Sequence, residues 1–98
     1  AEAGAPTGLA LAQARPNPFA AETRLRFALA EAGRVRLEIL DPAGRRVARL
    51  VDQDLAAGDH TARWDGRDAS GRRSAPGVYF ARLTVGARAM TRSLVFTR

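Results

Sequence analysis

The residues able to do chemistry in this chain are few, and most of them gather in one stretch. Asp65-Gly-Arg-Asp68-Ala-Ser-Gly71 sets two carboxylates three residues apart beside glycines, with Asp59 and the single histidine, His60, just upstream. An oxygen-ligand calcium site draws three or more such groups together, and an EF-hand loop repeats its acids at alternate positions. That alternation is missing. Asp side chains in Gly-rich turns commonly accept from their own backbone two residues on, and they pair readily with nearby arginines such as Arg67, Arg72 and Arg73. Asp65 and Asp68 are therefore expected to shape a turn, with Ca2+ binding as the functional alternative.

Catalytic constellations are thinner still. Hydrolysis by paired carboxylates needs one acid in an apolar site and a second at a fixed distance. The ten acids here fall in turns and on the polar side of alternating segments. Ser70, Ser74 and Ser93 lie outside any nucleophile-elbow context. One histidine excludes a multi-histidine metal centre and makes a histidine-based triad improbable. The absence of Cys excludes a thiolate nucleophile, a disulfide scaffold and a thiolate metal site. Gly66 and Gly71 precede a polar loop rather than a helix, so they form no phosphate loop. No enzymatic activity, cofactor or metal is expected.

Charge narrows the partners. Sixteen basic residues against ten acidic ones give a net charge of +6, and all sixteen are Arg. They recur along the whole chain, mostly one residue from an apolar one, which is the pattern of solvated strand faces. A nucleic-acid binder would cluster its arginines on one face and interleave exposed aromatics. No specific nucleic-acid partner is expected, while weak binding to DNA, acidic polysaccharide or anionic lipid should occur at low salt. No apolar run approaches the ~18 residues of a membrane span, so no transmembrane segment is expected. No charged-then-apolar leader is visible, so a signal peptide has been removed or was never on this fragment.

The elements that must carry these residues are strands. Ninety-eight residues make one domain, and 46% hydrophobic with 27% charged residues is the mix of a folded one. In Thr23–Leu29, Leu25, Phe27 and Leu29 share one face and Arg24 and Arg26 the other; in Arg34–Leu40, Val35, Leu37 and Ile39 point opposite to Arg34, Arg36 and Glu38. Asp41-Pro-Ala-Gly44 is a turn leading into a strand from Arg45 to Val51, followed by the polar stretch Asp52-Gln-Asp54. Ala57-Gly-Asp59 turns into a strand from His60 to Trp64, the stretch from Asp65 to Gly77 is the longest loop, and Gly77–Val85 and Arg88–Phe96 are strands joined tightly around Gly86-Ala87. No segment keeps a 3.6-residue apolar period. About seven short strands with regular turn signals predict an all-β, immunoglobulin-like antiparallel β-sandwich over residues 9–98. Trp64 and Tyr79 are expected in its core, since large aromatics are usually inside.

The two ends invite functional readings. Residues 1–8, rich in Ala, Gly and Pro, read as a linker or a processed amino terminus. Residues 7–14 contain a strand candidate around Leu9 and Leu11 that Pro16 and Pro18 cut off from the body. It can pair at an edge of its own domain. As a donor strand it would instead fill a gap in a neighbouring copy, and that head-to-tail contact would build an extracellular filament, a homo-polymer.

Several motifs occur in order: Arg15-Pro-Asn-Pro-Phe19, Asp41-Pro-Ala-Gly-Arg-Arg-Val47, Ala57-Gly-Asp-His60, Trp64-Asp-Gly-Arg-Asp68, Gly77-Val-Tyr79 and the ending Arg92-Ser-Leu-Val-Phe-Thr-Arg98. Together they resemble the carboxy-terminal sorting domain of proteins exported by the type IX secretion system, and the related immunoglobulin-like domain of the flagellar hook-capping protein. The resemblance implies a non-catalytic sandwich, extracellular or on the cell surface of a diderm bacterium. It would be read by export or attachment machinery through its last strand. Carried over by position, Pro16, Asn17, Pro18 and Phe19 match the opening motif, and Arg92, Leu94 and Val95 the terminal signal. The expected function is secretion sorting and surface attachment; the alternative is a filament subunit polymerising through its amino-terminal segment.

Overall fold

A computed structural model describes residues 9–97. Seven strands follow one another: β1 (Leu9–Leu11), β2 (Thr23–Leu29), β3 (Gly33–Leu40), β4 (Arg46–Leu55), β5 (Gly58–Trp64), β6 (Gly77–Val85) and β7 (Arg88–Phe96). They form a three-stranded sheet in the order β1-β2-β5 and a four-stranded sheet in the order β4-β3-β6-β7, with every pairing antiparallel. This is the expected immunoglobulin-like sandwich. The segment read as a linker or processed terminus, residues 1–8, lies outside the described residues.

Alternation builds the core. Leu25, Phe27 and Leu29 of β2 face Val35, Leu37 and Ile39 of β3, all essentially without solvent contact. Trp64, Tyr79, Leu83, Leu94 and Phe96 complete the same cluster, so both aromatics expected inside are there. Tyr79 donates its hydroxyl to the Ala75 carbonyl four residues upstream, satisfying the one polar atom its ring carries inward. Burying one Trp or Leu of this set is worth roughly 2–3 kcal/mol, which is why a chain this short can hold two layers together.

Two boundaries differ from expectation. β4 does not stop at Val51 but runs to Leu55. Its polar continuation stays in the ladder because Asp52 lies opposite Arg36 and Asp54 opposite Arg34, and opposite charges across a strand pair stabilise the pairing. β5 begins at Gly58, so the turn expected at 57–59 is tighter and nearer Ala57. β6 and β7 meet at Gly86, whose φ of 61° suits the first position of a two-residue hairpin.

Candidate functional site

The first and last strands meet on one side of the sandwich. β1 is an edge of the first sheet and β7 an edge of the second, and they lie side by side. At the hairpin closing β6 and β7, Val85 opposes Arg88, and the ladder continues without a bulge. The N–H and C=O groups of Ala89, Thr91, Ser93 and Val95 therefore point away from β6, toward the open edge.

The opening motif covers the far end of that edge. The Val95 N–H donates to Asn17 Oδ1 at 2.8 Å. The Phe19 N–H donates to the Val95 carbonyl at 3.0 Å, and the Thr97 N–H to the Phe19 carbonyl at 2.7 Å. Phe19 and Phe96 thus sit in a parallel bridge. The motif is anchored at its other end too. Arg15 and Arg24 exchange both main-chain bonds, and the fully buried Thr23 donates its hydroxyl to the Pro16 carbonyl at 2.7 Å. Both proline peptide bonds, Arg15–Pro16 and Asn17–Pro18, are cis.

Nearer the hairpin the seam is closed by side chains. Arg92 Nε donates to the Leu11 carbonyl at 2.8 Å, and Gln13 Nε2 donates to the Ser93 carbonyl at 3.1 Å. Among the described residues, the outward main-chain groups of Ala89 and Thr91 have no partner. The expected terminal-signal residues therefore divide. Arg92 is exposed and spans the seam, Val95 is half-buried beside the exposed Val78, and Leu94 belongs to the core. The candidate donor residues Leu9 and Leu11 are buried in the chain's own first sheet, opposite Leu29 and Phe27.

The loop after Trp64 folds on itself. Asp65 Oδ1 accepts the Arg67 N–H; Asp68 Oδ1 accepts the N–H groups of Ser70 and Arg72 and the Ser70 hydroxyl. The Ser70 hydroxyl and these backbone donors hold the Asp68 carboxyl below its ordinary range. Both acids are turn-formers, and among the described residues no group of three or more acids and histidines comes together for a metal. Trp64 Nε1 donates to the Arg67 carbonyl, and the loop is tied to β4 by the Ala69 N–H on the Val47 carbonyl.

Both motifs converge on Phe96. Its ring stacks on Phe19 at 5.0 Å and meets Trp64 at 6.0 Å, while Arg73 sits 5.5 Å above it. Gly66, at φ 79°, lies so close to that ring that a Cβ would come within 2.6 Å of it. The arrangement binds backbone to backbone and ring to ring. Sequence reasoning singled out Pro16, Asn17, Pro18 and Phe19, but missed Gln13 and Thr23. A polar residue on an otherwise apolar strand face was the available signal for Thr23; Gln13 gave none.

Comparisons with known proteins bear on the family and the fold. The model of the FlgD Ig-like domain matches residues 14–88. No curated protein matches the chain. Among solved structures, FlgD from Xanthomonas campestris, described with the hook capping essential for flagellar assembly, is 30% identical with a TM-score of 0.62, over 89% of this chain and 64% of that one. FlgD from P. aeruginosa is 27% identical with a TM-score of 0.60, over 76% of this chain and 58% of that one. PorZ, a surface component of the type-IX secretion system of Porphyromonas gingivalis, is 21% identical with a TM-score of 0.58, over 94% of this chain and 12% of that one. At that identity PorZ shares the fold alone. The chain spans less than two thirds of each of these proteins.

Proposed function

The chain belongs to the FlgD Ig-like domain family, and we propose that it is a non-catalytic docking module of the cell exterior, working through its joined end strands. The observation that carries this is the bonding of the opening motif onto the last strand, through Asn17, Phe19, Val95 and Thr97. A partner that engages this edge meets the opening motif and the last strand at once. Arg92 and Val95 are its exposed or half-exposed contacts, and the open main-chain groups of Ala89 and Thr91 extend it toward the hairpin. Extended peptides bind sheet edges of this kind by adding a strand. Such an edge suits export or attachment machinery, and the module then serves secretion sorting and surface attachment.

The test is export of a reporter fused ahead of this chain in a diderm bacterium with type IX machinery. Deleting residues 92–98 should abolish export, and Arg92→Ala, which leaves the core intact, should lower it. Full export of the deleted form would sink the sorting reading.

Strand exchange is the second reading, and the two leucines of β1 favour it. Leu9 and Leu11, paired with β2 in register, are both buried in the core. A neighbouring copy's Leu9 and Leu11 could make the same contacts, as in domain swapping. Light scattering and negative-stain microscopy decide it. This reading expects filaments from residues 1–98 and monomers without residues 1–14; monomers from both would remove it.

A further inference from the structure

The outer face of the β1-β2-β5 sheet carries an arrangement that the end-strand reading leaves unused. Arg24 lies opposite Arg15 on one side and opposite Arg63 on the other, so three arginines cross the sheet in one row. Arg26 follows on the same face of β2. The Arg15–Arg24 pair exchanges both main-chain bonds, which sets its Cα atoms about 5.5 Å apart. Like charges directly opposite one another destabilise a strand pair. Among the described residues only Glu22 answers them, at 3.8 Å from Arg24 and 3.7 Å from Arg63, both too long for hydrogen bonds. Asp59, at the other end of the face, is in no ion pair among the described residues.

The opposite face of the sandwich is handled differently. There Asp52 serves Arg34, Arg36 and Arg49, and Glu38 serves Arg46 and Arg49. Arg15, Arg24 and Arg26, by contrast, line an open groove of about 760 Å³ together with Ala12, Gln13, Pro16, Thr61 and a single carboxylate, Glu22. No aromatic side chain lines it, so it lacks the stacking platforms used for single-stranded nucleic acid.

We propose that this groove is a docking site for an extended acidic segment of a protein partner, with carboxylates on alternate residues. The spacing argues for it. Alternate residues of an extended chain recur every ~6.8 Å on one side, the interval that separates Arg24 from Arg26 on β2. A strand laid along β2 would set successive carboxylates against successive guanidiniums, each able to accept two N–H bonds. Arg15 and Arg63 flank that line and set its polarity. The groove adjoins the β7 seam at Gln13, but its basic row stands on the outer face of β2 and does not rest on the proposed function.

The test uses the intact chain and a labelled peptide of alternating Glu and Thr, titrated at ~0.1 M salt, where the Debye length is about 10 Å. Arg24→Glu with Arg26→Glu should weaken binding by about tenfold or more, while Arg45→Glu with Arg72→Glu, an equal charge change off this face, should stay within about twofold. The peptide with Gln for Glu should not bind. Equal losses from both double variants would overturn the proposal, since bulk charge would explain them. So would a single-stranded oligonucleotide or heparin binding as tightly with the same dependence on Arg24 and Arg26. Circular dichroism checks folding, and Arg24→Gln with Arg26→Gln replaces the reversal if that variant does not fold.

Discussion

The Asp carboxylates of the loop from Asp65 to Ser74 bond residues two to four positions on, whereas Asn17 of the opening motif bonds Val95, 78 positions away. The loop makes its own shape, because each Asp carboxylate folds the next few residues around itself. The opening motif is tied locally only at Arg15 and Pro16, through Arg24 and Thr23. Its second half, Asn17 and Phe19, is held by the last strand, whose edge it covers at Val95 and Thr97. Both regions end on the same ring, Phe96. The difference teaches that one motif is a local clamp and the other a joint between chain ends. A joint is the better candidate for recognition, because whatever loosens one end exposes the other.

Removing the shared ring should break both regions together. Phe96→Ala is expected to cost about 3–5 kcal/mol in chemical denaturation, and a loss below ~1 kcal/mol would mean the ring does not join them. Gly66→Ala strikes from the loop side alone. Its new methyl would press on the Phe96 ring at a positive φ, so a loss of about 1–3 kcal/mol is expected. Asn17→Ala strikes from the other side. It leaves the Val95 N–H without its acceptor, for about 1–2 kcal/mol, and Asn17→Asp, which keeps an acceptor oxygen, should recover part of it.

The smallest effect separates the loop by pH. Hydrogen bonds from Ser70 and Arg72 lower the Asp68 carboxyl, and the Arg45 N–H does the same for Asp41. A depressed folded-state pKa contributes stability above the unfolded value, ~3.9, that is lost as pH falls through the folded one. Denaturation midpoints should therefore hold steady from neutral pH to about 5 and fall below about 4. Asp68→Asn should flatten that fall slightly, while Asn17→Ala should leave its shape unchanged.

Much of this fold could be read from alternation alone. The runs Thr23–Leu29, Gly77–Val85 and Arg88–Phe96 coincide with β2, β6 and β7, because one face of each is buried and a period of two marks it. The end of β4 escaped, since Asp52, Gln53 and Asp54 read as loop until Arg34 and Arg36 are set across from them. The strand expected to continue to Ala14 stops at Leu11, although Ala12 and Arg15 still bond across to β2. Asn17 and Phe19 were legible as a motif, but their bonds to Val95 and Thr97 depend on which strands border which edge. The arginine row was hidden for the same reason. Arg24 and Arg63 each read as outward-facing, yet only the pairing of β2 with β5 makes them neighbours.

The central claim is that the opening motif holds the last strand. Native-state amide hydrogen exchange on the intact chain and on Asn17→Ala tests it most directly. The account predicts that the Val95 amide exchanges far more slowly than the uncovered Thr91 amide on the same edge. In Asn17→Ala its exchange should speed up to the Thr91 rate while Leu83 in the core stays protected. A Val95 amide that exchanges as fast as Thr91 in the parent chain, or that ignores the substitution, would contradict it.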